Sequence, residues 1–499
     1  MKTQDSWFRG RTRRARTVTG VLAGSLAGSL VLGGVLMLLP DDRPPAAPAP
    51  GPAAARAAVT KGVPASPADL SVLIGDREAH VRRHPRDAGS WAVLGAAYVE
   101  QGRLTADAGY YPKAERALRA SLKARPRGNA QALDGLAALA NTRRDFPAAR
   151  QWAEAALRAD RKRWTTYPLL IEAYTGLGDH KAARRTLDRL QELKSGPPVM
   201  ARAAAVYWDQ GWREDAAAQL SDAAASAGSP AERAAWLERA GQLAWERGER
   251  AAALRHFREA LRTDPDLRAA QAGEGRALAA LGRISEALSA YRAALAKQPS
   301  PAYALELGEL YESLGLEQAA RVQYELLRQR VRLAAAGGAD EELLLGRFEA
   351  DHGDAGSAVR RLRAEWRRQP SIAVADALGW ALYRAGDHEE ALRFAVRATD
   401  REKENGGGVR SALYAYHRGM IERALGKAGP ARRHLQEALR LNPWFSPLHA
   451  PLARAVLKRL GEPSDRLPHG VWAPDRSGPE VPGRAPDRSG PEVPGRAPD

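Results

Sequence analysis

Two hydrophobic patterns divide the chain. From 18 to 39 the side chains carry no charge for 22 residues, a run that as a helix reaches about 33 Å and is long enough for a bilayer core. From 68 to 460 the apolar positions recur three and four residues apart, the spacing of helices with one buried face. Short breaks marked by Gly and Pro separate these helices, and the alternation returns about every 34 residues. A period of that length predicts antiparallel helix pairs stacked in an array, because one pair cannot bury its apolar face until a neighbour covers it.

The fullest copy begins at Trp91. Leu94, Gly95, Tyr98 and Gly102 follow on one helix, then Tyr111, Ala114, Leu118, Ser121 and Pro126 on the next. About seven extra residues near 105–110 fall in the turn between them, where added length costs little. Later copies run Gly241, Gly248, Ala253, Phe257, Ala260, Pro265, then Gly275, Gly282, Ala287, Tyr291, Ala294, Pro299, then Leu307, Gly308, Tyr311, Gly315, Ala320, Tyr324. Gly346, Gly353, Ala358, Leu362 and Pro370 form another, Leu378, Gly379, Gly386 and Ala391 the next, and Gly419, Gly426, Ala431, Leu435, Ala438 and Pro443 the last. Weaker copies cover 167–194 and 200–223.

These residues at this spacing resemble the tetratricopeptide repeat. The resemblance implies an all-α, right-handed superhelical solenoid of about ten helical hairpins between about 86 and 443. One flanking helix is expected on each side, near 68–84 and 446–460, so that the solenoid occupies 68–460. Glycine and alanine at the crossing points let helix axes approach closely, turn glycines end the first helix, and proline stops the second.

The resemblance also implies a concave groove lined by the first helix of each hairpin, where partner polypeptides bind. Its repeat positions map onto Trp208, Trp245, Trp380, Tyr383 and Tyr416 as aromatic anchors, and onto Glu172, Glu238, Gln242, Arg276, Glu309, Glu312 and Arg347 as polar groups. The family's clamp for a terminal carboxylate needs an asparagine that the corresponding positions of this chain lack.

Flanking composition completes the layout. Lys2, Arg9, Arg11, Arg13, Arg14 and Arg16 precede the apolar run and Asp41 and Asp42 follow it. The excess of positive charge keeps 1–17 in the cytoplasm, makes 18–39 a transmembrane helix or signal anchor, and sends the array to the outer side of the cell membrane. Cleavage as a signal peptide, giving a secreted array, is the alternative. Gly20, Gly24 and Gly28 place small residues on one face of that helix, which suits pairing into a homodimer. Residues 40–67, rich in Pro and Ala, read as a spacer. The Pro/Gly-rich tail 461–499 repeats APDRSGPEVPG and reads as disordered.

The net charge of +17 raises the question of nucleic acid. Its distribution argues against it. Residues 101–200 hold 19 basic against 10 acidic side chains, whereas 301–350 hold 5 against 9, so no continuous basic stripe tracks a phosphate backbone. With no cysteine there is no thiolate ligand, nucleophile or disulfide. No phosphate loop, metalloprotease histidine pair or nucleophile elbow occurs. His80 and His84 lie one helical turn apart, but Arg82 and Arg83 between them disfavour a cation. The expectation is therefore a scaffold that is not an enzyme and has no catalytic, cofactor or metal site. It would serve assembly or maturation of a membrane or exported complex. A cytosolic repeat regulator, or an accessory subunit binding a small ligand or glycan, are the alternatives.

Overall fold

The computed structural model describes residues 52–400 and 410–461, and these hold 23 helices and no strand. In chain order they are α1 (Pro52–Lys61), α2 (Pro67–Arg83), α3 (Ala88–Thr105), α4 (Tyr110–Ala124), α5 (Ala130–Thr142), α6 (Phe146–Ala159), α7 (Thr166–Gly176) and α8 (His180–Leu193). Next come α9 (Pro197–Asp209), α10 (Arg213–Ala225), α11 (Pro230–Glu246), α12 (Arg250–Thr263), α13 (Arg268–Ala280), α14 (Ile284–Lys297), α15 (Pro301–Ser313) and α16 (Glu317–Ala336). The last are α17 (Glu342–His352), α18 (Ala355–Arg368), α19 (Ile372–Arg384), α20 (His388–Thr399), α21 (Ala412–Ala424), α22 (Ala428–Leu441) and α23 (His449–Leu460). From α3 to α22 they pair into ten hairpins, with α1 and α2 before and α23 after.

Local chemistry sets each hairpin. Pro126, Pro265, Pro299, Pro370 and Pro443 each stand two residues beyond the last residue of a second helix. Each lacks an N–H and restricts the residue before it, so the helix stops there. Asp87, Asn129, Asp145, Asp179, Ser229, Asp354, Ser371 and Ser411 cap first or second helices by accepting a backbone N–H with the side-chain oxygen. At the turn between α13 and α14, Gly282 adopts φ +76, which a side chain would strain.

Packing then joins the hairpins. Phe257 of α12 is fully buried and wedged between Gly241 of α11 and Gly273 of α13, where an added Cβ would sit 2.6 and 2.4 Å from its ring. Ala253 and Ala260, on the same face of α12, are also fully buried. Small residues bring the helices together and one large side chain fills the gap, a burial contributing roughly 1.5–3 kcal/mol for the phenylalanine alone.

The array also winds back on itself. The Arg143 Nε donates to Gly337 O at 3.1 Å, and the Asp340 N–H donates to Arg143 O at 2.9 Å. Gln298 Nε2 donates to Arg103 O at 3.3 Å, and Arg330 Nη2 to Ala106 O at 2.8 Å. Further along, Arg213 donates to Arg410 O, and Asn442 Nδ2 to Trp245 O at 2.8 Å. The Arg250 guanidinium lies 4.1 Å from the centre of the Trp444 ring. These partners are 194 to 224 residues apart, so one superhelical turn lies against the next along a continuous seam.

Two expectations change and one gains detail. The extra residues near 105–110 lengthen α3 to Thr105 and turn at Ala106 with φ 50, and their backbone meets Arg330 and Gly337 of the following turn. Instead of a spacer, 52–61 is helical: Ala55 and Ala58 are buried against Leu70, Leu73, Val93 and Ala97. The expected membrane location is also corrected. No helix among the described residues is long and apolar enough to cross a bilayer. Even α16, which at 20 residues reaches about 30 Å, carries Glu317, Arg321, Glu325, Arg328, Arg330 and Arg332. Residues 1–17, the run 18–39 with Gly20, Gly24 and Gly28, and the tail from 462 lie outside the described residues.

Candidate functional site

The first helices of the hairpins face a common hollow. Residues of α1, α3, α5, α7, α9 and α11 line one cavity of about 320 Å³, among them Val59, Arg103, Asn141, Arg202, Trp236 and Arg239. A second, of about 570 Å³, opens between turns: Asn141, His180, Arg202 and Asp209 come from one turn, and Glu365, Gln369, Ile372 and Tyr414 from the next. Helices far apart in sequence thus share one interior, and its geometry depends on the seam.

A chain of polar contacts runs through this interior. Arg202 meets Glu172 at 3.5 Å, and Gln242 Nε2 donates to Glu238 at 3.0 Å. Arg276 donates to Gln242 at 2.6 Å and to both oxygens of Glu306, at 2.7 and 3.0 Å through Nη2. The Tyr324 hydroxyl donates to Glu312 at 2.6 Å, His352 lies 3.3 Å from Glu312 and 3.8 Å from Glu309, and Arg347 lies 4.0 Å from Asp376. Glu172, Glu238, Gln242, Arg276, Glu309, Glu312 and Arg347 are all half-buried. Such linked pairs hold each other in fixed rotamers and leave little free charge.

Burial shifts the groups that lack full compensation. The Asp209 carboxyl is pushed up to about 7 by burial, against the pull of Arg202. Burial also raises Glu238, Glu246 and Glu309. Burial, with the like charges of Arg202 and Arg103, lowers the Arg239 guanidinium to about 10. Neither Asp209 nor Arg239 has an ion pair among the described residues. By surface area Asp209 is half-buried and Arg239 exposed towards the hollow, so each is free to meet a group of opposite sign.

The aromatic residues named from the repeat register mostly pack between hairpins. Tyr416 is fully buried, Trp380 is 4% exposed and Trp245 is 7% exposed. Trp380 stacks on His417 at 4.2 Å and on Tyr383 at 4.8 Å, its Nε1 donates to Asp351 at 2.9 Å, and Tyr416 stacks on His449 at 5.1 Å. His417 in turn lies 3.0 Å from both oxygens of the buried Asp376. Trp208 and Tyr383 are half-buried. Trp380 and Tyr416 thus pack within the wall of the last hairpins and Trp245 within that of α11, while Trp208 and Tyr383 keep part of their surface open.

Arg103, Arg202, Asp209 and Arg239 line the hollow without having been singled out in the sequence. Arg239 directly follows Glu238, which was, but Arg202 and Asp209 sit in a weak copy whose register is poorly defined, and Arg103 is on the lengthened end of α3. Elsewhere, His80 lies 3.0 Å from Asp87, the residue that caps α3. Among the described residues no group of three or more His, Cys, Asp or Glu side chains is placed to hold a metal ion.

Residues 239–299 and 272–330 match the family described as tetratricopeptide repeat. No curated protein matches the sequence. Solved structures similar to this chain include a tetratricopeptide repeat protein from Parabacteroides merdae, at 16% identity and TM-score 0.30, covering 53% of this chain and 98% of that one. The human IFIT1 dimer with PPP-AAAA is similar at 16% identity and TM-score 0.43, covering 78% and 94%. The APC/C hetero-tetramer Cut9–Hcn1 is similar at 16% identity and TM-score 0.30, covering 80% and 90%.

Proposed function

We propose that this chain, an all-helical repeat solenoid whose residues 239–330 are tetratricopeptide repeats, is a non-catalytic scaffold that holds an extended polypeptide segment of a partner protein in its hollow. A tetratricopeptide scaffold by itself suggests protein–protein interaction; the finer reading locates the partner. One observation carries it: the interior leaves charges of both signs, Arg239 and Asp209, without ion pairs in adjoining cavities lined largely by the first helices. A polypeptide brings donors, acceptors and side chains of both signs at short intervals, and it is narrow enough to thread between turns.

Photoreactive residues test this. Placed at Ala205 and Ala96, one in the wall of each cavity, and at the exposed Val322 as an outer control, they are activated in cells and the captured species identified. Capture of polypeptides from both inner sites and not from Val322 supports the reading. Capture only from Val322, or inner capture only of glycans or small molecules, overturns it.

A further inference from the structure

The two cavities share Arg103, Asn141, Thr142, Glu172 and Arg202 in their walls and therefore lie side by side. They differ in what each leaves unpaired.

The smaller cavity offers donors. Arg239 lies with its guanidinium carbon 4.9 Å from the centre of the Trp236 ring and makes no ion pair. Trp236 is 4% exposed and its indole N–H has no acceptor. The neighbouring arginines are already matched, Arg103 by Glu100 at 2.6 Å and Arg202 by Glu172 at 3.5 Å. An exposed arginine over the ring face of Trp236, in the same cavity wall as that ring's unsatisfied N–H, offers donors to an oxyanion.

The larger cavity offers acceptors. Asn141, His180 and Gln369 are 5, 7 and 3% exposed, and Asn141 Oδ1, His180 Nε2 and Gln369 Oε1 are buried without partners. The amide orientations are fixed at their other ends, since Asn141 Nδ2 donates to Leu169 O at 2.9 Å and Gln369 Nε2 donates to Glu365. Two carbonyl oxygens are thus left over in the cavity that Asp209, which makes no ion pair, also lines. His180 is held neutral by burial. Unsatisfied oxygens lining one cavity with an uncompensated carboxylate suit an ammonium or guanidinium, which brings several donors and one positive charge.

Resting on the reading of the hollow as a polypeptide channel, we propose that it selects segments carrying an acidic and a basic side chain close together: the carboxylate docks on Arg239 and the Trp236 N–H, and the basic group on Asp209 with the oxygens of Asn141 and Gln369. Helix α9 gives the scale of the spacing, because Arg202 lines both cavities and Asp209 the larger. Arg202, at the border of the donor side, and Asp209 lie seven residues apart on that helix, about 10 Å along its axis. An extended chain covers that distance in about three residues.

Four fluorescent peptide pools test the selection by anisotropy against the full chain. Each has a randomised uncharged background; one fixes Glu and Lys three residues apart, two replace either residue by Gln, and one replaces both. The expected order is Glu/Lys tightest, by about tenfold or more over Gln/Gln, with the single replacements between. Arg239→Gln removes the preference for Glu and leaves that for Lys, whereas Asp209→Asn does the reverse. That crossed pattern cannot arise from general unfolding. Equal binding of all four pools to the unaltered chain overturns the selection while the polypeptide reading stands. Binding of none overturns both.

Discussion

The hairpins α11 to α16 and the seam between superhelical turns are built on opposite terms. Within the hairpins, contacts join residues near in sequence and follow a repeating rule of glycine or alanine against one large ring, as at Gly241, Phe257 and Gly273, or Gly308 and Tyr324. Along the seam, contacts join residues 194 to 224 apart, and each is a different device: a backbone pair at Arg143 and Asp340, a buried amide at Asn442, a cation on an indole at Arg250 and Trp444. Local, repeated packing gives each hairpin its stability through its neighbours. The seam sets the width of the hollow, because it fixes the distance from one turn to the next. The contrast teaches that stability and binding geometry in this chain rest on separate contacts and respond to different substitutions.

The sharpest way to break the hairpin side is Phe257→Ala. A fully buried ring between two glycines leaves a cavity that rigid helices cannot collapse to fill, at a cost of about 3–5 kcal/mol. Urea denaturation is expected to show that loss, and a cost under about 1 kcal/mol would mean that the packing at Phe257 is not as close as described.

On the seam, Asn442→Ala gives a smaller effect of another kind. Asn442 is 2% exposed; its Nδ2 reaches Trp245 O across the turns and its Oδ1 accepts the Trp444 N–H at 2.9 Å. Losing both costs about 2 kcal/mol. Small-angle scattering is expected to show a larger radius of gyration, with helix content by circular dichroism unchanged. An unchanged radius would mean that the seam does not hold the turns together.

The same division decides what could be read in the sequence. The hairpins were legible because their determinants are local: the turn glycines, the prolines after second helices, and the spacing of Ala253, Phe257 and Ala260. Helix α1 was not, since Pro and Ala read as a spacer, although alanine is the strongest helix former and Ala55 and Ala58 find Leu70 and Leu73 to cover them. Trp245, Trp380 and Tyr416 stand at inner-surface positions of the repeat, but neighbouring side chains cover them, and burial of a ring depends on the next hairpin's residues. Arg239 and Asp209 were out of reach. Whether a charge finds a partner depends on the superhelical pitch, which no local spacing encodes.

A third prediction uses pH to separate the regions. Asp209 titrates at about 7 in the fold against 3.8 unfolded, so its contribution is complete below about 3.8 and lost as pH rises through about 7. Glu341 and Glu365, also raised by burial, act in the same direction. His449 works oppositely: burial lowers it to about 4, and its contribution is complete above 6.5 and lost as pH falls towards 4. Between pH 6 and 8 His449 stays neutral, while His352, which burial lowers but Glu309 and Glu312 raise further, adds to the decline; the Asp209 share, on the order of 1–2 kcal/mol after allowing for solvent screening, is read as the difference between the two proteins. Asp209→Asn is expected to flatten the decline in stability from pH 6 to 8. Parallel declines in both proteins would show that Asp209 is not the group responsible.

The smallest effect gives the finest test. Arg330 is half-buried on α16, and its one contact across the seam is the hydrogen bond to Ala106 O, at the left-handed turn that follows the lengthened α3. Arg330→Ala removes a charged donor from a carbonyl that water can reach, so the loss is about 0.5–1 kcal/mol and the melting temperature hardly moves. If the seam opens independently of the hairpins, amide exchange at 103–110 and 330–340 accelerates by about fivefold, the factor that about 1 kcal/mol sets, while α11 to α14 exchange as before. Acceleration spread evenly through those helices would mean that seam and hairpins open as one cooperative unit, and the hollow could then widen only by unfolding. Confinement to the seam would instead let the turns part and close around a threaded segment with every hairpin intact, which is the motion an interior binding site requires.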